Sequence, residues 1–228
     1  MSNSSPLVFG VLLATAGVQL LDFAALDVLA IFSPDYLKEV PISDSLKAYG
    51  RPIEFKYIVD QVKGNGEAPN HVALTGNSKV AITDTLDSVG YLDYLFIPGP
   101  PPSYVPTADT IAFIQKHASS ARAILTVCTG IVPLLYTGIL SGKSVTGPLS
   151  LIPFFKEKAP DAEWQARRWV VGNNGKLWSS GGVTNGLDMM AAFVKTIIPS
   201  ELANTMIARA DINDRGQDYP EELLATIA

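Results

Sequence analysis

One reactive side chain stands alone in this chain: Cys128 is the single cysteine among 228 residues. It sits within Ala123-Ile124-Leu125-Thr126-Val127-Cys128-Thr129-Gly130-Ile131-Val132-Pro133. An apolar, β-branched run stops at the sulfur, a small residue and a glycine follow, and a helical pattern begins. That order predicts strand, sharp turn, helix. Such a turn exposes its side chain beyond the carboxyl end of a strand, where α/β sheets bind ligands. A helix N-terminus beside a thiol favours the thiolate, which is the nucleophile. The expected chemistry is covalent catalysis by sulfur. The plainer reading is that Cys128 is a small buried hydrophobe. Metal chemistry finds no ligand set, because two distant histidines, His71 and His117, and one cysteine do not make zinc-type spacing. No phosphate loop or dinucleotide fingerprint occurs, and Gly181-Gly182 lacks the required pattern.

The elements that must position the sulfur follow from hydrophobic periodicity. Residues 7–13 form an apolar run that reads as a strand buried on both faces, followed by a loop over 14–19. Residues 20–32 have helical spacing, and 53–59 alternate like a strand. Residues 72–74 and 79–82 flank Thr75-Gly76-Asn77-Ser78, a hairpin signal. A strand over 94–97 ends at Pro98-Gly99, and a helix is expected over 107–119. After Cys128 a helix is predicted over 129–140, with Pro133 near its first turn, where proline is tolerated. A short extended piece at 144–146 precedes a second hairpin, 169–171 and 177–179 around Gly172-Asn173-Asn174-Gly175. Helices are expected over 183–197, 200–212 and 220–227. Strands alternating with helices predict an α/β fold with a mostly parallel sheet and helices on both faces. The loops after Leu13 and Ile97 and the turn at Cys128 then lie at the ligand-binding edge.

Bulk composition narrows the partners. Hydrophobic residues make up 47% and charged residues 17%, and no repeat or low-complexity block divides the chain, so residues 1–228 read as one domain. A net charge of −5 and a pI near 5.0 argue against nucleic-acid or anionic-membrane surfaces. A single cysteine suits a reducing compartment. The apolar N-terminal stretch lacks a basic leader, since no Lys or Arg precedes Lys38, and Asp22 and Asp27 interrupt it. A cytoplasmic protein with no membrane span is therefore expected.

The motifs Val127-Cys128-Thr129-Gly130, Gly181-Gly182-Val183-Thr184-Asn185-Gly186-Leu187-Asp188, and Gln19-Leu20-Leu21-Asp22 followed by Asp27-Val28 resemble the ThiJ/PfpI superfamily over residues 8–197. The Cys-Thr-Gly turn with an Asp after a Gln-x-Leu segment is most similar to its isonitrile hydratase branch. The resemblance implies a flavodoxin-like three-layer sandwich and hydration of an isonitrile to an N-substituted formamide, without metal or organic cofactor. It assigns Cys128 as nucleophile, Asp22 as acid/base partner and Thr129 as donor of a backbone N–H, and of a hydroxyl, to the developing charge. It puts Gly99, Pro100, Gly130, Gly147 and Gly182 around a small-molecule substrate and implies a homodimer, for which the apolar helices after Pro199 offer a surface. The bland readings are that Asp22 caps the 20–32 helix, that Asp27 is a solvated face residue, and that Gly181-Gly182 and Thr184 are turn and N-cap residues.

Two departures from the family pattern matter. Neither histidine follows Cys128, and Pro148 stands where many relatives carry a histidine, which weakens proteolytic and glyoxalase-like readings. Where the family has Pro-Gly-Gly, this chain has Pro98-Gly99-Pro100-Pro101-Pro102. Proline has no N–H, so an oxyanion donor is lost at Pro100. A cyclase or isomerase acting in the same pocket, and a non-catalytic cysteine redox sensor or chaperone-like protein, therefore remain open beside the hydratase. A ligand-binding regulator ranks last, because no DNA-binding extension follows Ile197.

Overall fold

A computed structural model describes residues 5–61, 67–213 and 215–227. The central sheet is built from β1 (Leu7–Leu13), β2 (Ile53–Val59), β5 (Asp84–Thr85), β6 (Tyr94–Ile97), β7 (Ala123–Val127), β10 (Trp169–Gly172) and β11 (Leu177–Ser180). Their order is β10-β11-β7-β6-β1-β2-β5, and every pair is parallel except β10 with β11. Two small pairs stand apart: β3 (His71–Ala73) with β4 (Lys79–Ala81), and β8 (Ser144–Val145) with β9 (Glu163–Trp164). The apolar run of β1 fits its place in the middle, where both faces are covered.

Helices cover both faces, giving a flavodoxin-like three-layer α/β sandwich. On one face Phe9, Phe96 and Leu125 pack with Leu29 and with Phe193 and Leu202 of the Asn185–Ile197 and Ser200–Arg209 helices. On the other, Leu95 and Ile124 pack with Ile114 of the Ala108–Ser120 helix, Ile131, and Phe155 of the Ile152–Lys158 helix. No helix among the described residues is long and apolar enough to cross a membrane.

Two expected helices take a different form. Residues 20–32 are not one α-helix but Leu20–Phe23, a 3-10 turn at Ala24–Leu26, and Asp27–Ala30. The junction residues stay right-handed, as at Phe23 with φ −66° and ψ −36°, so the stretch is a tightened helix rather than a broken one. The segment after the cysteine is a 3-10 helix, Cys128–Tyr136, not an α-helix over 129–140. Pro133 lies in its interior, where the missing N–H and the ring's clash with the carbonyl of Thr129 forbid the α pattern. The expected array of aligned N–H groups behind the sulfur is therefore reduced.

Candidate active site

The site forms where β1, β6 and β7 end. After β7 the chain turns at Cys128, whose φ of +57° puts a non-glycine residue in the left-handed region. The turn is locked from behind by Gly130, since a side chain there would run into the Ile97 carbonyl of β6. After β6, Gly99 allows a second close approach: a Cβ would collide with the Asp22 carboxyl and stand 2.5 Å from Thr129 Oγ1. After β1, the loop delivers Asp22 on the first short helical turn, fully buried at 0% exposure. The three segments predicted to meet at the sheet edge do meet.

Asp22 does not cap its helix, because the Asp22 and Phe23 N–H groups bond to the Gln19 carbonyl and no capping side chain is present. Its Oδ2 accepts the Gly99 N–H at 3.2 Å, whereas its Oδ1 is buried without a hydrogen-bond partner of ordinary geometry among the described residues. The carboxyl interacts with the Cys128 thiol. A buried carboxylate with so little support is disfavoured. Burial pushes Asp22 up to about 7, against the opposing pull of the Gly99 N–H and the Cys128 thiol. Burial first, and the Asp22 charge second, push the Cys128 thiol up to about 12. This corrects the expectation of a thiol lowered by a helix N-terminus: the 3-10 segment supplies the Thr129 N–H to the sulfur, but Cys128 is only 9% exposed and faces a carboxylate. The two groups titrate as a pair. The carboxyl loses its proton near neutral pH, and the thiol keeps the remaining one across the physiological range.

Thr129 has one hydroxyl proton, and it goes to the Pro100 carbonyl at 2.6 Å. Pro100 therefore lacks a donor of its own and also occupies the neighbouring one. Both the Thr129 backbone N–H and its side chain reach the sulfur, the N–H with the larger effect on the thiol.

Above the sulfur lies a cavity of about 470 Å³ lined by Cys128, Thr129, Gly99 and residues 100–102. Its other walls are residues 16–19, residues 73–75, Pro148 and Leu151. None of these lining residues is charged. Gly130 lies outside the lining, behind the turn, and Gly147 packs against Phe155 and Ile131. Gly182 is also outside it, with open space where a Cβ would be. Neither histidine lines the cavity. His71 is exposed on β3, while His117 packs against Phe113 with its ring tilted and is pushed down to about 4 by burial.

The wall at residues 73–75 is not legible in the sequence. Val18 forms a parallel bridge to Leu74, with Val18 N–H to Ala73 O at 3.1 Å and Thr75 N–H to Val18 O at 3.0 Å. The hairpin signal predicts the turn but not where it docks. The second glycine-rich motif also serves a different place: Asp188 and Thr184 hold Arg215, which donates to Asp188 Oδ1 at 3.1 Å and to Thr184 Oγ1 at 3.1 Å. Asp27 is exposed, as a solvated face residue would be.

The chain is similar to known proteins in sequence and shape. It is 26% identical over 123 residues to an isonitrile hydratase of Pseudomonas putida, covering 53% of this chain and 52% of that protein. The chain thus spans about half the length of that curated relative. A ThiJ/PfpI family protein from Pseudomonas syringae superposes with a TM-score of 0.68 at 17% identity, over 95% of this chain and 78% of the other. Schizosaccharomyces pombe DJ-1 does so with a TM-score of 0.66 at 11% identity, over 91% of this chain and 100% of the other. At such identities the likeness establishes the fold. The model of the DJ-1/PfpI family matches residues 35–196, which include Cys128 and Thr129 and leave Asp22 to the N-terminal side. With most of its length matched, and with its strands and its cysteine turn arranged as described, this chain belongs to the DJ-1/PfpI family.

Proposed function

We propose that the protein is a cysteine-dependent lyase that hydrates an isonitrile, R–N≡C, to the formamide R–NH–CHO. The observation that supports this best is the coupling of Cys128 to a buried carboxyl in a pocket poor in oxyanion donors. The similarity to the Pseudomonas putida isonitrile hydratase supports it as well.

Isonitrile addition places its charge on carbon, not oxygen. In the singly charged pair, the Asp22 carboxylate takes the thiol proton while sulfur attacks the isonitrile carbon. A C–S bond forms, the carbon lone pair takes that same proton from Asp22, and a thioimidate R–N=CH–S results. The Thr129 N–H steadies the sulfur. Water then adds across the C=N bond: its oxygen bonds to carbon, and Asp22 relays its proton to nitrogen. The tetrahedral R–NH–CH(OH)–S intermediate collapses as its hydroxyl proton goes to Asp22 and the C–S electron pair returns to sulfur. Formamide leaves, and the pair again holds one proton and one negative charge. No full oxyanion is needed, which is the chemistry a Pro100 pocket can tolerate.

A redox-sensor role is less favoured, because sensing wants an exposed, low-pKa thiol and Cys128 is 9% exposed with its thiol raised. The test is formamide production from cyclohexyl isonitrile, followed by NMR. Wild type should turn over, and Cys128→Ala should lose at least ~10³-fold in rate. Full turnover by Cys128→Ala would remove the hydratase reading.

A further inference from the structure

The mechanism leaves one pocket group unused. Among the described residues, four with polar side chains line the cavity: Gln19, Thr75, Cys128 and Thr129. Thr75 Oγ1 accepts the Leu20 N–H at 2.9 Å, and Thr129 Oγ1 donates to Pro100 O. Cys128 is paired with Asp22. Gln19 alone has no assignment.

The fold does not explain its side chain. Gln19 stands at the N-cap of the Leu20–Phe23 turn, yet glutamine is not a preferred capping type and its side chain makes no capping bond. The backbone does that work: Gln19 O accepts the N–H groups of Asp22 and Phe23, both at 3.1 Å, and Gln19 N–H donates to Gly99 O at 3.2 Å. These bonds fix the residue between Gly99 and the 73–75 wall. Gln19 is half-buried and lines a cavity whose surroundings are mostly apolar, and among the described residues no protein group pairs with its carboxamide.

We infer that the Gln19 carboxamide recognises an amide-like edge, an N–H beside an oxygen, on the molecule held at Cys128. This rests on the hydratase reading for its place in the reaction. An isonitrile has neither N–H nor oxygen, whereas the tetrahedral intermediate and the formamide have both. A primary carboxamide offers the complementary acceptor and donor. Gln19 thus binds the later species and not the substrate, so it should act on kcat and product affinity rather than on KM.

The test titrates wild type and Gln19→Met calorimetrically with N-cyclohexylformamide, and measures turnover of cyclohexyl isonitrile by both. Gln19→Ala serves as a second variant, and alkylation of Cys128 checks that the site is intact. The expected result is formamide binding weakened about tenfold or more, kcat lowered similarly, and KM within about twofold. Equal formamide affinity in wild type and variants, or none in wild type, overturns the inference. Gln19-dependent formamide binding without isonitrile turnover upholds the inference and rejects the hydratase reading. Isonitrile turnover indifferent to Gln19 does the reverse.

Discussion

Two buried aspartates near the end of β7 have opposite surroundings. Asp188, 6% exposed, follows Gly186, which packs on Val127. It is gripped by Arg215, Nε to Oδ1 at 3.1 Å and Nη2 to Oδ2 at 2.5 Å. Asp22, 0% exposed, touches Cys128 but has one backbone N–H and, among the described residues, one oxygen without a hydrogen-bond partner. Both carboxyls are nearly out of water. The difference lies in what replaces the water. A bidentate guanidinium compensates the buried charge and anchors the 215–220 segment to the sheet edge. A single N–H does not, so Asp22 keeps a proton to near neutrality and can exchange it with sulfur. Asp60 resembles Asp188, taking the Thr15 N–H at 2.7 Å and the Tyr104 hydroxyl at 2.6 Å. It ties the two loops that border the pocket.

The largest effect that can break this contrast is on rate. Asp22→Asn should lower isonitrile turnover by ~10²–10⁴-fold, and wild-type activity should rise with pH through about 7 as the pair loses its first proton. A flat profile, or an active Asn variant, would make Asp22 no more chemical than Asp188. Next comes stability. A carboxyl whose native pKa lies above its unfolded value keeps its proton longer when folded. The native state therefore loses stability as pH rises from about 4 to about 7. Asp22→Asn does not titrate, so it should be more stable than wild type above pH 7 by roughly 2–4 kcal/mol, with the gain vanishing below about pH 4. Urea unfolding at the two pH values measures this; equal stabilities at pH 8 would refute the burial penalty.

The contrasting site should respond with the opposite sign. Arg215→Ala leaves Asp188 buried and unpaired and should cost about 2 kcal/mol, less than a fully buried pair because Arg215 is partly exposed. An unchanged urea midpoint would mean the pair anchors nothing. The smallest effect is at Asp60: Tyr104→Phe removes one hydroxyl donor and should cost about 1 kcal/mol. It should leave the pH profile of turnover in place, since Asp60 serves the rim and not the sulfur.

Much of this arrangement is legible in the order of the residues. The apolar runs at 7–13, 94–97 and 123–127, each closed by small or turn residues, predict the three central strands and the ends where the site forms. The lone sulfur after Val127 predicts the turn. Asp22 is reached through the Gln-x-Leu-Asp resemblance, not through spacing, and the fold brings it to Cys128. Periodicity misreads the 129–140 segment, because Pro133 looks tolerable in a first turn and instead lies inside a 3-10 helix.

Residue order alone dictates most of the elements, since propensity, alternation and turn chemistry are local. It also dictates that one cysteine is available and that Pro100 lacks an N–H. The direction of the thiol's shift comes from packing, because burial and a facing carboxylate outweigh a short helical turn. Packing also docks residues 73–75 onto the loop at Val18 and puts Gln19 in the cavity wall. These outcomes depend on which distant groups share a desolvated space, and no local pattern records that.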